Sequence, residues 1–281
     1  MFRFGYFPLP RPHEILYSTV ARCRTYLALS NGCFTKIVLG RPVAATINPD
    51  KYVSSVSSIL GKEYSESYLI NNHSLKPLMQ LFGKPRKEKR LRQYLRYCPE
   101  CIKDQRQTYG EAYWHRDWQI KEARLCLKHG CPLIKTPIPA GTNMKGYGFF
   151  NLELALNLTG NRQETVSPKD FEILHEAVDL LNCCNDFPEL SEADWERFYR
   201  RHIPDLSKER DGRLYSVYLY ERIESYWGAD WLKMHNLHTI TRSNYCVFEH
   251  PDWLYHLVLI KANCPNLSLK DAVRQALIAT N

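Results

Sequence analysis

The sequence predicts a mainly α-helical protein with an N-terminal helical, helix-turn-helix-like unit, a zinc-finger module and a C-terminal helical domain. Three observations predict it. Apolar residues recur at three- and four-residue spacing through most of the chain. Two short Cys/His pairs stand at metal-ligand spacing near the middle. Positive charge gathers around those pairs and nowhere else: residues 84–135 hold 14 Lys/Arg against 6 Asp/Glu, whereas the remainder holds 24 of each. A neutral body with one basic segment suits a polyanionic partner, although a solvated charged face gives the same count.

With 281 residues, 44% hydrophobic and 24% charged, the chain has core material for two or three compact units, expected at 1–83, 84–135 and 136–281. No run of 18 apolar residues predicts a membrane span, and the N-terminus lacks the apolar core of a signal peptide. A reducing, cytoplasmic setting is therefore expected, where ten cysteines read as metal ligands or buried thiols.

The first helix is expected over 12–29. Pro12-His13-Glu14 suits a first turn, and Ile15, Leu16, Val20, Cys23 and Leu27 share a face before Ser30-Asn31-Gly32 ends it. Short helices over 52–60 and 65–72 flank Gly61-Lys62-Glu63, a helix-turn-helix outline that is also common by chance. Residues 84–96 are expected to form a basic helix, and 132–148 a linker or strand-and-turn element. The C-terminal helices are expected over 168–184, with Phe171, Leu174, Val178 and Leu181 on one face, then 191–202, 214–226, 230–237, 251–261 and 267–279. Ser191-Glu-Ala-Asp194 has the pattern of a capping box.

Cys98-Pro-Glu-Cys101 and Cys126-Leu-Lys-His129 are separated by 24 residues. Each pair can turn two donors toward one ion, and four protein donors complete a zinc tetrahedron. One structural Zn2+ is expected on Cys98, Cys101, Cys126 and His129, with no position left for a reactive water. A redox Cys-x-x-Cys would need a strand-to-helix context that is not apparent here. Cys131 reads as a nearby fifth, non-ligating thiol. His115 could replace His129, yet its neighbours Tyr113, Trp114 and Trp118 favour a packed role, with both tryptophans in the module's core. Cys23, Cys33, Cys183, Cys184, Cys246 and Cys264 read as buried free thiols.

The candidates for phosphate contact are Arg86, Lys87, Lys89, Arg90, Arg92 and Arg96, extended within the finger by Lys103, Arg106, Arg116 and Lys128. A second basic group, Arg200, Arg201, Lys208, Arg210 and Arg213, is interrupted by Asp205, Glu209 and Asp211. No phosphate-cradling glycine loop occurs and no carboxylates are paired for hydrolysis, so an enzyme is not expected and any ATP would be bound by a partner.

Arg96-Tyr-Cys98-Pro-Glu-Cys101, Tyr109-Gly-Glu-Ala-Tyr-Trp114, Arg116-Asp-Trp118 and Leu125-Cys-Leu-Lys-His129-Gly130 together resemble the zinc-finger core of the TniQ/TnsD family. Glu14-Ile-Leu-Tyr-Ser-Thr-Val-Ala-Arg22 is similar to that family's opening helix, and His73-Ser-Leu-Lys-Pro-Leu78 to a further motif; the resemblance covers about 8–135. It implies a non-catalytic, bacterial, nucleoid-associated target selector of a cut-and-paste transposon, which binds double-stranded target DNA and recruits an AAA+ ATPase. Some members ride instead on an RNA-guided CRISPR complex. The lack of a second cysteine cluster points to the TnsD-like branch, whose members are usually much longer, so this is a short form or part of a longer one. Outside the family, a zinc-finger transcription regulator is the alternative.

Overall fold

Glu14, deep in the N-terminal half, has no exposed surface at all, and the first helix begins only after it. A computed structural model of the chain, mainly helical, describes residues 6–82, 94–140, 148–203, 207–208, 214–215, 219–235, 237 and 253–278. The chain divides into two units, Met1–Lys76 with Lys89–Val166 and Pro77–Glu88 with Ser167–Asn281. The Cys/His pairs share the first unit with the N-terminal helices.

In that unit α1 (Leu16–Tyr26) is central, every residue from Leu16 to Cys23 being buried. The expected start at residue 12 is corrected. Glu14 pairs antiparallel with His115, Ile15 N donating to Trp114 O (3.0 Å) and Arg116 N to His13 O (2.7 Å). Backbone groups committed to that bridge are not available to a helix, so Ile15 stays extended as the N-cap. Ser30 does not end the helix but caps a new one, α2 (Asn31–Ile37), by accepting from Cys33 N. The two short helices are present as α3 (Val53–Leu60) and α4 (Glu66–His73), with Gly61 between them at φ 92° and Ser65 capping the second. α5 (Lys76–Leu81) follows and from Pro77 onward belongs to the second unit.

The expected basic helix is corrected over 94–96: Tyr94–Tyr97 is a strand, β1, rich in strand-favouring aromatics, while 84–93 lie outside the described residues. Next come α6 (Pro99–Tyr109), β2 (Ile134–Pro139), α7 (Leu152–Ala155) and β3 (Arg162–Gln163), the strands forming an antiparallel sheet ordered β1-β2-β3. Pro137 lies in the middle strand, where it has no amide to offer. The register shifts between Tyr94 and Arg96, opposite it, which absorbs the missing ladder bond. The Phe149 ring packs against Tyr17, Phe34 and Tyr52 at 5.2–6.3 Å, joining three N-terminal segments to the connection between β2 and β3.

A buried ionic chain fixes α1 to the loop between the Cys/His pairs. Arg22 donates through Nη1 to Glu14 Oε2 (2.7 Å) and through Nε to Glu111 Oε1 (3.0 Å), while Arg11 Nη2 reaches Glu111 Oε1 at 2.7 Å. Burial pushes the Glu14 carboxyl upward against the pull of Arg22.

The second unit contains α8 (Pro168–Cys183), α9 (Glu192–His202), a two-stranded ribbon of β4 (Ser207–Lys208) and β5 (Leu214–Tyr215), α10 (Leu219–Trp227), α11 (Ala229–Met234), α12 (Trp253–Asn263) and α13 (Leu269–Ile278). Ser167/Asp170 and Ser191/Asp194 form complete capping boxes. The helix expected from 214 is corrected, since Leu214–Tyr215 pair as a strand and α10 begins at Leu219. The α8 face is rotated from expectation: Ile173, Leu174, Ala177, Leu180 and Leu181 are buried while Phe171 is exposed. α12, buried on all sides from Trp253 to Lys261, is the central helix. On it, His256 stacks on Trp195 (4.0 Å) and shares a hydrogen bond through Nδ1 with the Tyr199 hydroxyl (2.8 Å), and burial lowers its pKa to about 3. Among the described residues no helix is long and apolar enough to cross a membrane.

Two outcomes follow from these buried charges. Arg22→Met leaves Glu14 without its counter-charge and is expected to cost about 3 kcal/mol in urea unfolding, whereas Lys103→Met at an exposed pair leaves the unfolding midpoint unchanged. Because folded His256 resists protonation, the unfolded chain takes up the proton first as pH falls below about 6.5. That residue should remove stability at about 1.4 kcal/mol per pH unit between about 6.5 and 4, and His256→Phe should flatten the measured pH slope by one proton.

Candidate metal centre and charged face

Cys98 stands at the N-cap of α6, where its sulfur accepts the Cys101 amide at 3.4 Å. Pro99 occupies the first turn, Glu100 follows it, and Gly110 ends the helix at φ 77°. These are ordinary start and stop signals that could have revealed α6 from the sequence. The second pair lies on a tight turn closed by Gly130 N to Cys126 O (2.7 Å), Cys126 N to Cys131 O (2.9 Å) and Leu133 N to Arg124 O (2.8 Å). Gly130 adopts φ 63°, a conformation that a residue with a Cβ rarely takes.

The helix start and the turn bring Cys98, Cys101, Cys126 and His129 together, with one donor atom from each within 4.8 Å of all the others. Cys101 Sγ lies 3.6 Å from Cys126 Sγ. His129 Nδ1 lies 3.5, 3.2 and 3.7 Å from the sulfurs of Cys98, Cys101 and Cys126. A tetrahedron around zinc has S–S edges of about 3.8 Å and S–N edges of about 3.5 Å. The donor set therefore fits zinc in kind and in size. Hydrogen bonds donated by the Cys101 and Cys98 thiols hold the Cys126 thiol far below its usual range, and the bond that Cys101 donates to Cys126 keeps its own thiol raised. On its far side, His129 Nε2 lies 3.4 Å from Asp104 Oδ2. A carboxylate there fixes the ring with Nδ1 turned to the thiols.

The structure brings His129 to the thiols, and His115 elsewhere. His115 stacks between His13 and Trp118, each 5.1 Å away, and burial lowers its pKa to about 4. Its ring and that of His13 are within 10° of parallel, so their in-plane lone pairs do not converge on one ion, although Asp117 stands close by. Trp114 and Trp118 are buried as core residues, the first anchored by Nε1 to Phe150 O at 2.8 Å. Cys131 Sγ is 3.4 Å from Cys98 Sγ but outside the mutually close set. Cys23 and Cys184 are buried and Cys183 and Cys264 half-buried; Cys33 is exposed, which corrects the expectation for it, and Cys246 lies outside the described residues.

Of the candidate DNA contacts, Arg86, Lys87, Lys89, Arg90 and Arg92 lie outside the described residues. Arg96 and Arg116 are corrected, because their guanidinium groups are buried and serve the fold. Arg96 pairs with Glu164 (2.9 Å) and donates to the carbonyls of Ile120 and Lys121. Arg116 donates to those of Asn71 and Asn72. Lys103 and Arg106 share a face of α6, paired with Glu100 and Glu153, and Lys128 is paired with Asp104. The Lys103 and Lys128 side chains are 71% and 65% exposed, so those pairs are weak and both amines remain available to a polyanion. In the second basic group Arg200 pairs with Glu196 along α9, and Arg210 and Arg213 lie outside the described residues.

Residues 6–133, which span the whole Cys/His cluster, match the TniQ family model. The transposition protein TnsD of transposon Tn7 from Escherichia coli is 25% identical over 309 residues, covering 96% of this chain and 60% of that protein. The chain thus spans about three-fifths of the length of that curated relative. The matched region contains α1, its bridge to the finger loop and all four donors, so the chain carries a TniQ region over those residues and is similar to TnsD along most of its length.

Proposed function

We propose that this protein is the target-selecting adaptor of a Tn7-like transposon, holding double-stranded target DNA and recruiting the transposon's AAA+ ATPase to it. The observation that carries this reading is the similarity to TnsD, which extends over 96% of the chain rather than stopping with the TniQ region. That extent favours direct target reading over an adaptor docked on an RNA-guided CRISPR complex. It also favours transposition over a free-standing zinc-finger transcription regulator.

Within this reading, Cys98, Cys101, Cys126 and His129 hold one structural Zn2+. Four protein donors leave no open position, so the ion braces the α6 start against the 126–131 turn and performs no catalysis. Contact with phosphate falls to Arg86, Lys87, Lys89, Arg90 and Arg92, with Lys103, Arg106 and Lys128 at the edge. Six of the 14 cations in the basic segment, and one of its 6 acids, lie between Lys84 and Arg92, which makes that stretch its most positive part.

The test is capture of sheared host genomic DNA by the zinc-loaded chain at near-physiological salt, followed by sequencing. One enriched locus that then retains the ATPase supports the proposal; uniform recovery sinks direct target reading. On the captured fragment, replacing Lys87, Lys89 and Arg90 with Gln should reduce the salt slope of binding by about three units. Asp104→Ala should weaken zinc binding by about 10- to 100-fold in chelator competition, because His129 loses the group that orients it.

A further inference from the structure

We propose that Cys131 is a standby ligand of the metal centre, placed to take the fourth position from His129; this rests on the zinc reading above. Four donors converge at this corner of the fold, and Cys131 stands as a fifth beside them, outside the mutually close set. Cys131 Sγ lies 3.4 Å from Cys98 Sγ, within the 3.2–3.7 Å range that separates the hydrogen-bonded donors of the four-residue set. It is also tied to the site by backbone, since the Cys131 carbonyl accepts from Cys126 N at 2.9 Å. Only Gly130 separates it from His129. That glycine already has a left-handed backbone, and the space around its α-carbon is open, so the residues on either side can be reoriented without a clash there.

His129 is the ligand to be exchanged, for reasons of charge and burial. Cys98, Cys101 and Cys126 are buried and bind zinc as anions, whereas His129 is neutral, half-buried and carried on the turn. Zinc accepts a fourth thiolate as readily as an imidazole. In the exchange one metal–nitrogen bond breaks and one metal–sulfur bond forms. The proton leaving Cys131 is taken up by the freed imidazole, and no oxidant is involved. Asp104 Oδ2, 3.4 Å from His129 Nε2, is in place to accept the imidazolium so formed. The site would thus exist in two ligand states that differ at the exposed turn bearing Lys128.

The test uses the full chain, loaded with zinc under reducing conditions and then exchanged to Co2+, with metal stoichiometry, affinity and absorption as readouts. His129→Ala is expected to keep one Co2+ per chain, with thiolate-to-metal absorption about one third stronger as three thiolates become four. H129A/C131S is expected to bind at least about tenfold more weakly than H129A. Cys131→Ser alone should retain the parent spectrum yet release zinc to excess chelator several-fold faster. Equal affinity of H129A and the double variant, or unchanged release from C131S, overturns the proposal. A parent chain without stoichiometric metal overturns the zinc reading as well, whereas a loaded parent indifferent to Cys131 overturns this inference alone.

Discussion

The pairing of residues 13–15 with 114–116 is the constraint on which the first unit depends. It forces α1 to begin at Leu16, carries Glu14 into the interior, and sets the loop between the two Cys/His pairs against the central helix. Arg22 then has to bridge Glu14 and Glu111, because a buried carboxylate without a counter-charge is costly. Trp114 adds a second clasp, its amide donating to Ser18 Oγ at 3.0 Å and its ring filling the core. Donor cluster and helix therefore act on opposite ends of one loop. The four donors close its base, and α1 holds its tip.

This division explains which features were legible in the sequence. The donor pairs, the Ser191/Asp194 capping box and the helix it begins are local patterns, written in residues a few positions apart. The start of α1 depends on a partner about 100 residues away, and no helical periodicity could reveal it. Tyr94–Tyr97 is a strand because β2 lies beside it, and the same neighbourhood places Glu164 and two carbonyls around Arg96. Position in a basic segment made Arg96 and Arg116 look like phosphate contacts. Internal acceptors claimed them first.

The rotation of the α8 face has the same origin. Phe171 shares a stripe with Leu174 and Leu181, but Asp170 must turn inward to receive Trp231 Nε1 (3.1 Å) and His235 Nε2 (3.0 Å). With Asp170 fixed by those two donors and by the Ser167 amide, Phe171 is left at the surface. A polar network thus chose the register that apolar periodicity left undecided.

On the proposed reading, a closed donor set suits an adaptor whose task is to hold surfaces in place. Three thiolates and one imidazole would leave a bound zinc neither a water to activate nor a vacant site for substrate, so its free energy would go into geometry. The geometry in question is the junction between the start of α6, which presents Lys103 and Arg106, and the turn that presents Lys128. Loss of the ion would release that junction while α1 still held Trp114 and Glu111, separating the charged edge from the core beneath it. On that reading a bound metal would set the spacing of surface charges, and the buried ionic chain sets their depth.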